Sequence, residues 1–408
     1  MRLFALAVTL TAVAAAANAA GQAPAARELF SAVADAQQGT APIPRAKSGA
    51  ARPASAAEQG GTLTIYVYPP SKPIDWSTPK KAMLPFLLVS ALDHLPIIRK
   101  ADFVSDFGEK GYISWRYKSG MGHTIAHLAC TLPGGAPYES WSSFSGQGLP
   151  EVDLELLLKR EIGLGMLFYD YVDGYIISGQ ENPTHLAHYA SLNGAAPRYW
   201  QQKIGSKACA DARDMVEFFK SFHFQEGAAL AQLQARPPEK TLYFSSNMDP
   251  YKSYVDRNSG GNGKVGGGCA PYGLALLKIA GKYDWSLDDM FLLHIDISER
   301  LIGGIPDENG KLRRIPPLSL FGELGDSWTH PGYKNRHFKN YDPALIWKFI
   351  GEARTCLAGG NCAPKVREWL DKNRGRVSAG PAQEIRDTQT GGRASTALSA
   401  KLYGIVLE

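Results

Sequence analysis

Cysteine is scarce in this sequence: Cys130, Cys209, Cys269, Cys356 and Cys362 are the only five among 408 residues. That is too few for a small disulfide scaffold, and the chain is long enough to bury its own core. Charge is also thin, at 20% of residues with a formal net charge of +5. The lysines and arginines are scattered, with no basic stripe interleaved with aromatics, so nucleic acid is not an expected partner. No stretch reaches the roughly 20 apolar residues that span a bilayer, and "LPFLLVSAL" (Leu84 to Leu92) is far too brief, so no transmembrane segment is expected. No repeat of fixed period is found. The glycines before Cys269 are not followed by Gly-Lys-Ser/Thr, which excludes a phosphate loop. His123 and His127 lack the glutamate of His-Glu-x-x-His, His185 and His188 lack partners, and Cys356 and Cys362 lack a second cysteine pair. Neither a metal nor another cofactor is therefore expected.

What is present begins with "MRLFALAVTLTAVAAAANAA". A positive start at Arg2, an apolar run from Leu3 to Ala17 and small residues at Ala17 and Ala19 make a secretory signal peptide cut near Ala19. Residues 20–60 are rich in Ala, Pro, Gly and Gln and read as a disordered linker. The protein is thus expected to be exported, periplasmic or secreted. In an oxidising compartment an odd cysteine count leaves at least one cysteine outside a disulfide. "CLAGGNC" can close Cys356 on Cys362, Cys130 and Cys209 can then pair, and Cys269 is left over.

Strands are expected at "TLTIYVYP" (Thr62 to Pro69), Tyr112 to Tyr117, "GHTIAHLACTL" (Gly122 to Leu132), "YESWSSF" (Tyr138 to Phe144), "DGYIISG" (Asp173 to Gly179) and the final "KLYGIVLE". Helices are expected at Leu84 to Leu95 and in "ACADARDMVEFFKSFHF". Two more are expected in "SLDDMFLLHIDISERLIGG", with Ser286 as N-cap, and in "YDPALIWKFIGEARTC", with Asp342 as N-cap and Pro343 at the first position. Asn373 to Ser399 reads as a loose arm. Strands mingled with helices, without regular alternation, indicate an α+β fold.

The stretch "GNGKVGGGCAPYGLALLKIAG", Gly261 to Gly281, places Cys269 where glycine-rich backbone enters an apolar helix that Gly281 closes. A thiol in a first helical turn feels the positive end of the helix dipole, which favours the thiolate. A nucleophilic thiol also needs a base held by a third polar group. "MGHTIAHLAC" offers His123 and His127. Strand alternation puts them with Ile125 on one face, and Thr124, Ala126, Leu128 and Cys130 on the other.

The order of these parts, a Gly-His opening a strand, further strands, "YFSSN" (Tyr243 to Asn247) and a Cys-x-x-Tyr helix ending "KIAG", resembles the circularly permuted NlpC-type papain-fold hydrolases. These are similar to the lecithin:retinol acyltransferase-like proteins, in which histidine precedes cysteine. The resemblance covers about Tyr112 to Gly281. Here a longer insertion separates Asn247 from Cys269, and the third polar group has no clear counterpart. The resemblance implies a papain-like antiparallel sheet packed on a cysteine-bearing helix, circularly permuted, with extra N- and C-terminal elements. On this division 61–340 is the hydrolase domain and 341–408 a helical extension and tail.

It also implies that Cys269 attacks an amide or ester carbonyl with His123 as base, or alternatively His127. Glu139 is the candidate third group, with Ser143 next. Gly268, Tyr272, Tyr243 and Asn247 are expected near substrate or oxyanion. A cell-wall peptidoglycan peptide or an acyl ester would be the substrate. The alternative is an exported envelope or binding protein that keeps the fold without the activity.

Overall fold

The computed structural model describes residues 60–69, 74–83, 122–146, 159–168, 172–179, 182–183, 186–187, 196–222, 241–243, 248–305, 309–386 and 399–408. The expected signal peptide, nearly all of the linker, the helix from Leu84, the strand at Tyr112, the "HLAH" histidines and Asn247 lie outside them.

The fold is α+β and is organised by one large, mostly antiparallel sheet. Its first strands in chain order are β1 (Gly61–Tyr68), β2 (His123–Thr131), β3 (Pro137–Gly146), β4 (Val172–Ser178) and β5 (Arg198–Ile204). Short β6 (Thr241–Tyr243) and β7 (Val265–Gly267) follow, and β10 (Val377–Ala379), β11 (Gln383–Arg386) and β12 (Ser399–Leu407) come from the C-terminal part. The spatial order is β10-β12-β5-β1-β2-β3-β4-β6-β7, with β11 also pairing with β12. The pairs β12 with β5 and β6 with β7 are parallel. A separate antiparallel pair joins β8 (Leu292–Ser298) to β9 (Asn335–Tyr341). The chain beyond Tyr341 therefore adds strands to the main sheet and is built into the same layer as β1 to β5.

Among the described residues the helices are α1 (Ser206–Ser221), α2 (Pro250–Asn258), α3 (Cys269–Ile279), α4 (Asp288–Phe291), α5 (Pro317–Phe321), α6 (Pro343–Leu357) and α7 (Pro364–Lys372). Strand alternation decides where they pack. In β1, Leu63, Ile65 and Val67 share a core with Ala126 and Leu128 of β2 and with Ala270, Tyr272, Leu274 and Leu276 of α3. Tyr66 and Tyr68 point to the opposite face and pack with Ile125 and Tyr199. The sheet thus has a near face covered by α1, α3 and α6, and a far face carrying its own aromatic cluster. A smaller core lies under β8 and β9, around Ile295, Ile297 and Phe338.

Helix α3 is apolar apart from Lys278 and buried at every position from Cys269 to Lys278, the pattern of a helix enclosed on all sides. Each of its fully buried leucines contributes about 1.5–3 kcal/mol. Gly273 lets it lie against the sheet, for a Cβ there would stand 2.7 Å from Thr124 Cγ2 and 3.3 Å from Ile65 Cγ2. The helix ends as expected: Gly281 has φ 66°, its N–H reaches the Lys278 carbonyl, and the Lys282 N–H reaches that of Leu277. These two bonds satisfy carbonyls that would otherwise be orphaned.

Both disulfides join the expected partners. Cys130 at the end of β2 bonds Cys209 of α1, with Cα atoms 6.0 Å apart, and Cys356 bonds Cys362 at the end of α6, at 5.5 Å. Asp342 caps α6 through the Ala344 N–H at 2.8 Å, also as expected.

Two expectations are corrected. "SLDDMFLLHIDISERLIGG" is not one helix and Ser286 is not its cap. Asp284 accepts the Ser286 N–H at 3.0 Å, a short turn leads into α4, and the chain then becomes β8. The alternation of Leu293, Ile295 and Ile297 with His294 and Asp296, paired across to β9, outweighs the helical start. Nor is Asn373 to Ser399 a loose arm throughout, since Val377–Ala379 and Gln383–Arg386 pair with β12.

Replacing Gly273 by Val should push α3 off β1 and β2 and destabilise the protein by about 1–3 kcal/mol. Thermal unfolding measures this, and an unchanged melting temperature would contradict the close contact.

Candidate active-site cleft

Cys269 is the first residue of α3, 7% exposed, and belongs to neither disulfide. Gly268, in extended backbone, precedes it, and no side chain caps the helix. The first-turn N–H groups of Cys269 and Ala270 therefore lie at an uncapped helix start. Cys269 borders a solvent-open cleft whose wall includes Gly122, Gly268, Trp76, Asn340, Tyr341 and Asp342. The cleft is small, with an enclosed volume of about 40 Å³, and opens to solvent.

A second helix start meets this cleft: Asp342 and Pro343, which open α6, line it together with Cys269. Burial pushes the Asp342 carboxyl above the ordinary aspartate value, against the opposing effect of the Ala344 N–H that it accepts. Such a carboxyl can carry a proton closer to neutral pH than a surface aspartate can. Tyr341 is fixed from behind by a buried polar group. Lys278, its side chain 1% exposed, donates to Tyr341 Oη at 2.9 Å, and both Tyr341 and Tyr283 donate to Asp288 Oδ1 at 2.7 and 2.6 Å. Burial holds the Lys278 ammonium below its ordinary value, with Asp249 (3.5 Å) and Asp288 opposing the shift.

The expected partners of Cys269 are placed less simply. His123 opens β2, opposite Tyr68 in register, and its ring lies 5.5 Å from that of Tyr68. Alternation puts it with Ile125 on the far face, whereas α3 covers the near face. What borders the cleft is Gly122, at the turn into the strand with φ 84°. A link between His123 and Cys269 would run round the strand end past Gly122, not across the sheet face.

His127 is also on the far face, stacked on Trp141 with ring centres 4.0 Å apart. Its Nε2 lies 3.0 Å from Glu139 Oε1. Glu139 is thus placed beside His127, the alternative base, two residues along the same strand face from Ile125. Ser143 is fully buried on β3. Tyr272 is fully buried in the main core, donates to Ser142 Oγ at 3.0 Å and stacks on Phe144. Tyr243 ends β6, opposite Gly267 of β7.

The residues missed in sequence are those of the far wall. Asp342 read only as a helix cap, and Asn340 and Tyr341 gave no signal, because they lie some seventy residues after Cys269 and reach it only through the packing of α6 and β9 beside α3. Among the described residues no group of three or more His, Cys, Asp or Glu is arranged to hold a metal ion. No helix among them is long and apolar enough to cross a membrane. Comparison of the chain with protein-family models, curated proteins and solved structures gives no match in any of the three.

Burial holds the His127 pKa below the ordinary 6.5, against the opposing influence of Glu139. The unfolded chain therefore takes up the proton first, and this part of the stability, complete above about pH 6.5, is lost as pH falls through the folded-state value. Glu139→Gln should lower the imidazole pKa further, as read by NMR titration of His127; a rise would contradict the pairing.

Proposed function

We propose that the chain is an exported cysteine hydrolase of the permuted papain type, acting on an amide or ester bond through Cys269. The observation that carries this reading is the position of Cys269: outside both disulfides, at an uncapped helix start, on a cleft that a second helix start also enters. In this mechanism the Cys269 sulfur attacks the carbonyl carbon, and its proton passes to the base. His123 is the proposed base, reached round the strand end. The bond to the leaving amine or alcohol breaks as that group takes the proton, and water then cleaves the thioester and restores the thiol. Backbone N–H groups at the start of α3 hold the oxyanion. Two disulfides agree with folding in an oxidising compartment, which makes a peptidoglycan peptide or an acyl ester a natural substrate.

The far-face position of His123 favours a second reading, an exported envelope or binding protein with this architecture and no turnover. The two readings separate on one set of measurements. Iodoacetamide labelling of Cys269, followed by peptide mass spectrometry, should run faster than labelling of free cysteine and slow in His123→Ala. Hydrolysis of peptidoglycan fragments or simple acyl esters should vanish in Cys269→Ala with thermal stability retained, and fall by about 10²–10⁴-fold in His123→Ala. Slow labelling that is indifferent to His123, with no turnover of either substrate, would establish the binding protein.

A further inference from the structure

Arg198 and Arg354 lie where α6 packs on β5 and β12. Arg198 is the first residue of β5, paired in register with Tyr403 of β12. Its guanidinium lies 3.5 Å from the centre of the Trp347 ring and donates to the Trp347 carbonyl at 2.7 Å. Arg354, two turns along α6 from Trp347, lies 5.0 Å from the centre of the Tyr403 ring and donates through Nη1 to the carbonyls of Gly380 and Gly404 at 2.9 and 3.0 Å. We propose that Arg198 and Arg354 form a binding site for a doubly charged tetrahedral oxyanion, inorganic phosphate or a phosphate monoester.

Three features support this assignment. Partly buried charges are normally paired, yet among the described residues both guanidiniums bond only to carbonyls and aromatic faces, with no carboxylate bonded to either. The charge nearest to Arg198 in effect is Arg354 itself: burial first, and then that like charge, make the Arg198 guanidinium hold its proton less tightly than usual. Two adjacent cations without an acid are relieved by a dianion, and a single negative charge would leave one uncompensated. Second, the groups are fixed in advance. Gly351 lies between them on α6, and a Cβ there would come within 1.9 Å of Arg198 Nη1, so the helix is kept open for this side chain. Third, each anchor uses Nη1, which leaves Nε and Nη2 of both residues as donors in the fork geometry that matches phosphate oxygens. Tyr403, 43% exposed, keeps the place open to solvent.

The test is titration of the full chain with inorganic phosphate against chloride at matched ionic strength, read by calorimetry and thermal unfolding. Phosphate should bind saturably and raise the melting temperature, and Arg198→Gln and Arg354→Gln should each weaken binding by about tenfold or more. Arg198→Lys, which keeps the charge, covers the case where a glutamine variant fails to fold; it should still bind, more weakly, because the fork is lost. Failure of the wild-type protein to distinguish phosphate from chloride, or an equal response in the variants, would overturn the proposal. Co-sedimentation with phosphatidylcholine vesicles containing phosphatidic acid, added to phosphate binding, would identify a lipid headgroup as the source. Phosphate binding without co-sedimentation would identify a soluble phosphate ester. Neither result depends on the chemistry of Cys269.

Discussion

The contact of α3 with the near face of the sheet is the constraint on which the rest depends. Gly273 sits over Thr124 and Ile65 without a side chain between, and Tyr272 inserts beside it to reach Ser142. These contacts fix the height and rotation of the helix, and so fix where its first residue emerges. Cys269 thereby lines one cleft with Gly122 at the β2 entrance and with Asp342 and Pro343 at the start of α6. A helix this apolar could not remain exposed, and burying it between β1, β2, β3, α1 and α2 brings the thiol to the rim of the core.

The division of the sheet into two faces has a chemical consequence. The near face carries the helices, both ends of the Cys130–Cys209 disulfide and the cleft. The far face carries an aromatic array in which Trp141 stacks on both Tyr66 and His127, with Glu139 at its edge. His123 belongs by alternation to that array, one residue from the turn that enters the cleft. The same period of two that makes β2 a good strand therefore places its histidines on the face opposite to the one that α3 covers.

Much of this was legible in the sequence wherever local chemistry decides structure. The strand character of "TLTIYVYP" and "GHTIAHLACTL", the Asp-Pro start of α6, the helix at Cys269 with its glycine end and the Cys356–Cys362 loop all follow from short-range patterns, and the structure has them; the Cys130–Cys209 pair followed from these by elimination. Strand alternation also divided the residues of β2 correctly, but it could not say which face the helix would cover. That depends on the small residue at 273, whose effect shows only when the partner strand is known. "LLHIDIS" carried both an acidic helix start and a β alternation, and pairing with β9 decided between them. The far wall of the cleft and the Arg198–Arg354 pair join segments more than sixty residues apart, and no local pattern marks such meetings.

The central claim is that the start of α3 turns Cys269 into a thiolate despite its burial, and these two influences act in opposite directions on the same proton. The difference in 240 nm absorbance between wild type and Cys269→Ala, followed through a pH titration, measures the outcome on one group. The account predicts a thiolate that appears with a midpoint below the roughly 8.5 of a free cysteine. A midpoint at or above that value would mean that burial prevails, and would contradict the assignment of Cys269 as a nucleophile.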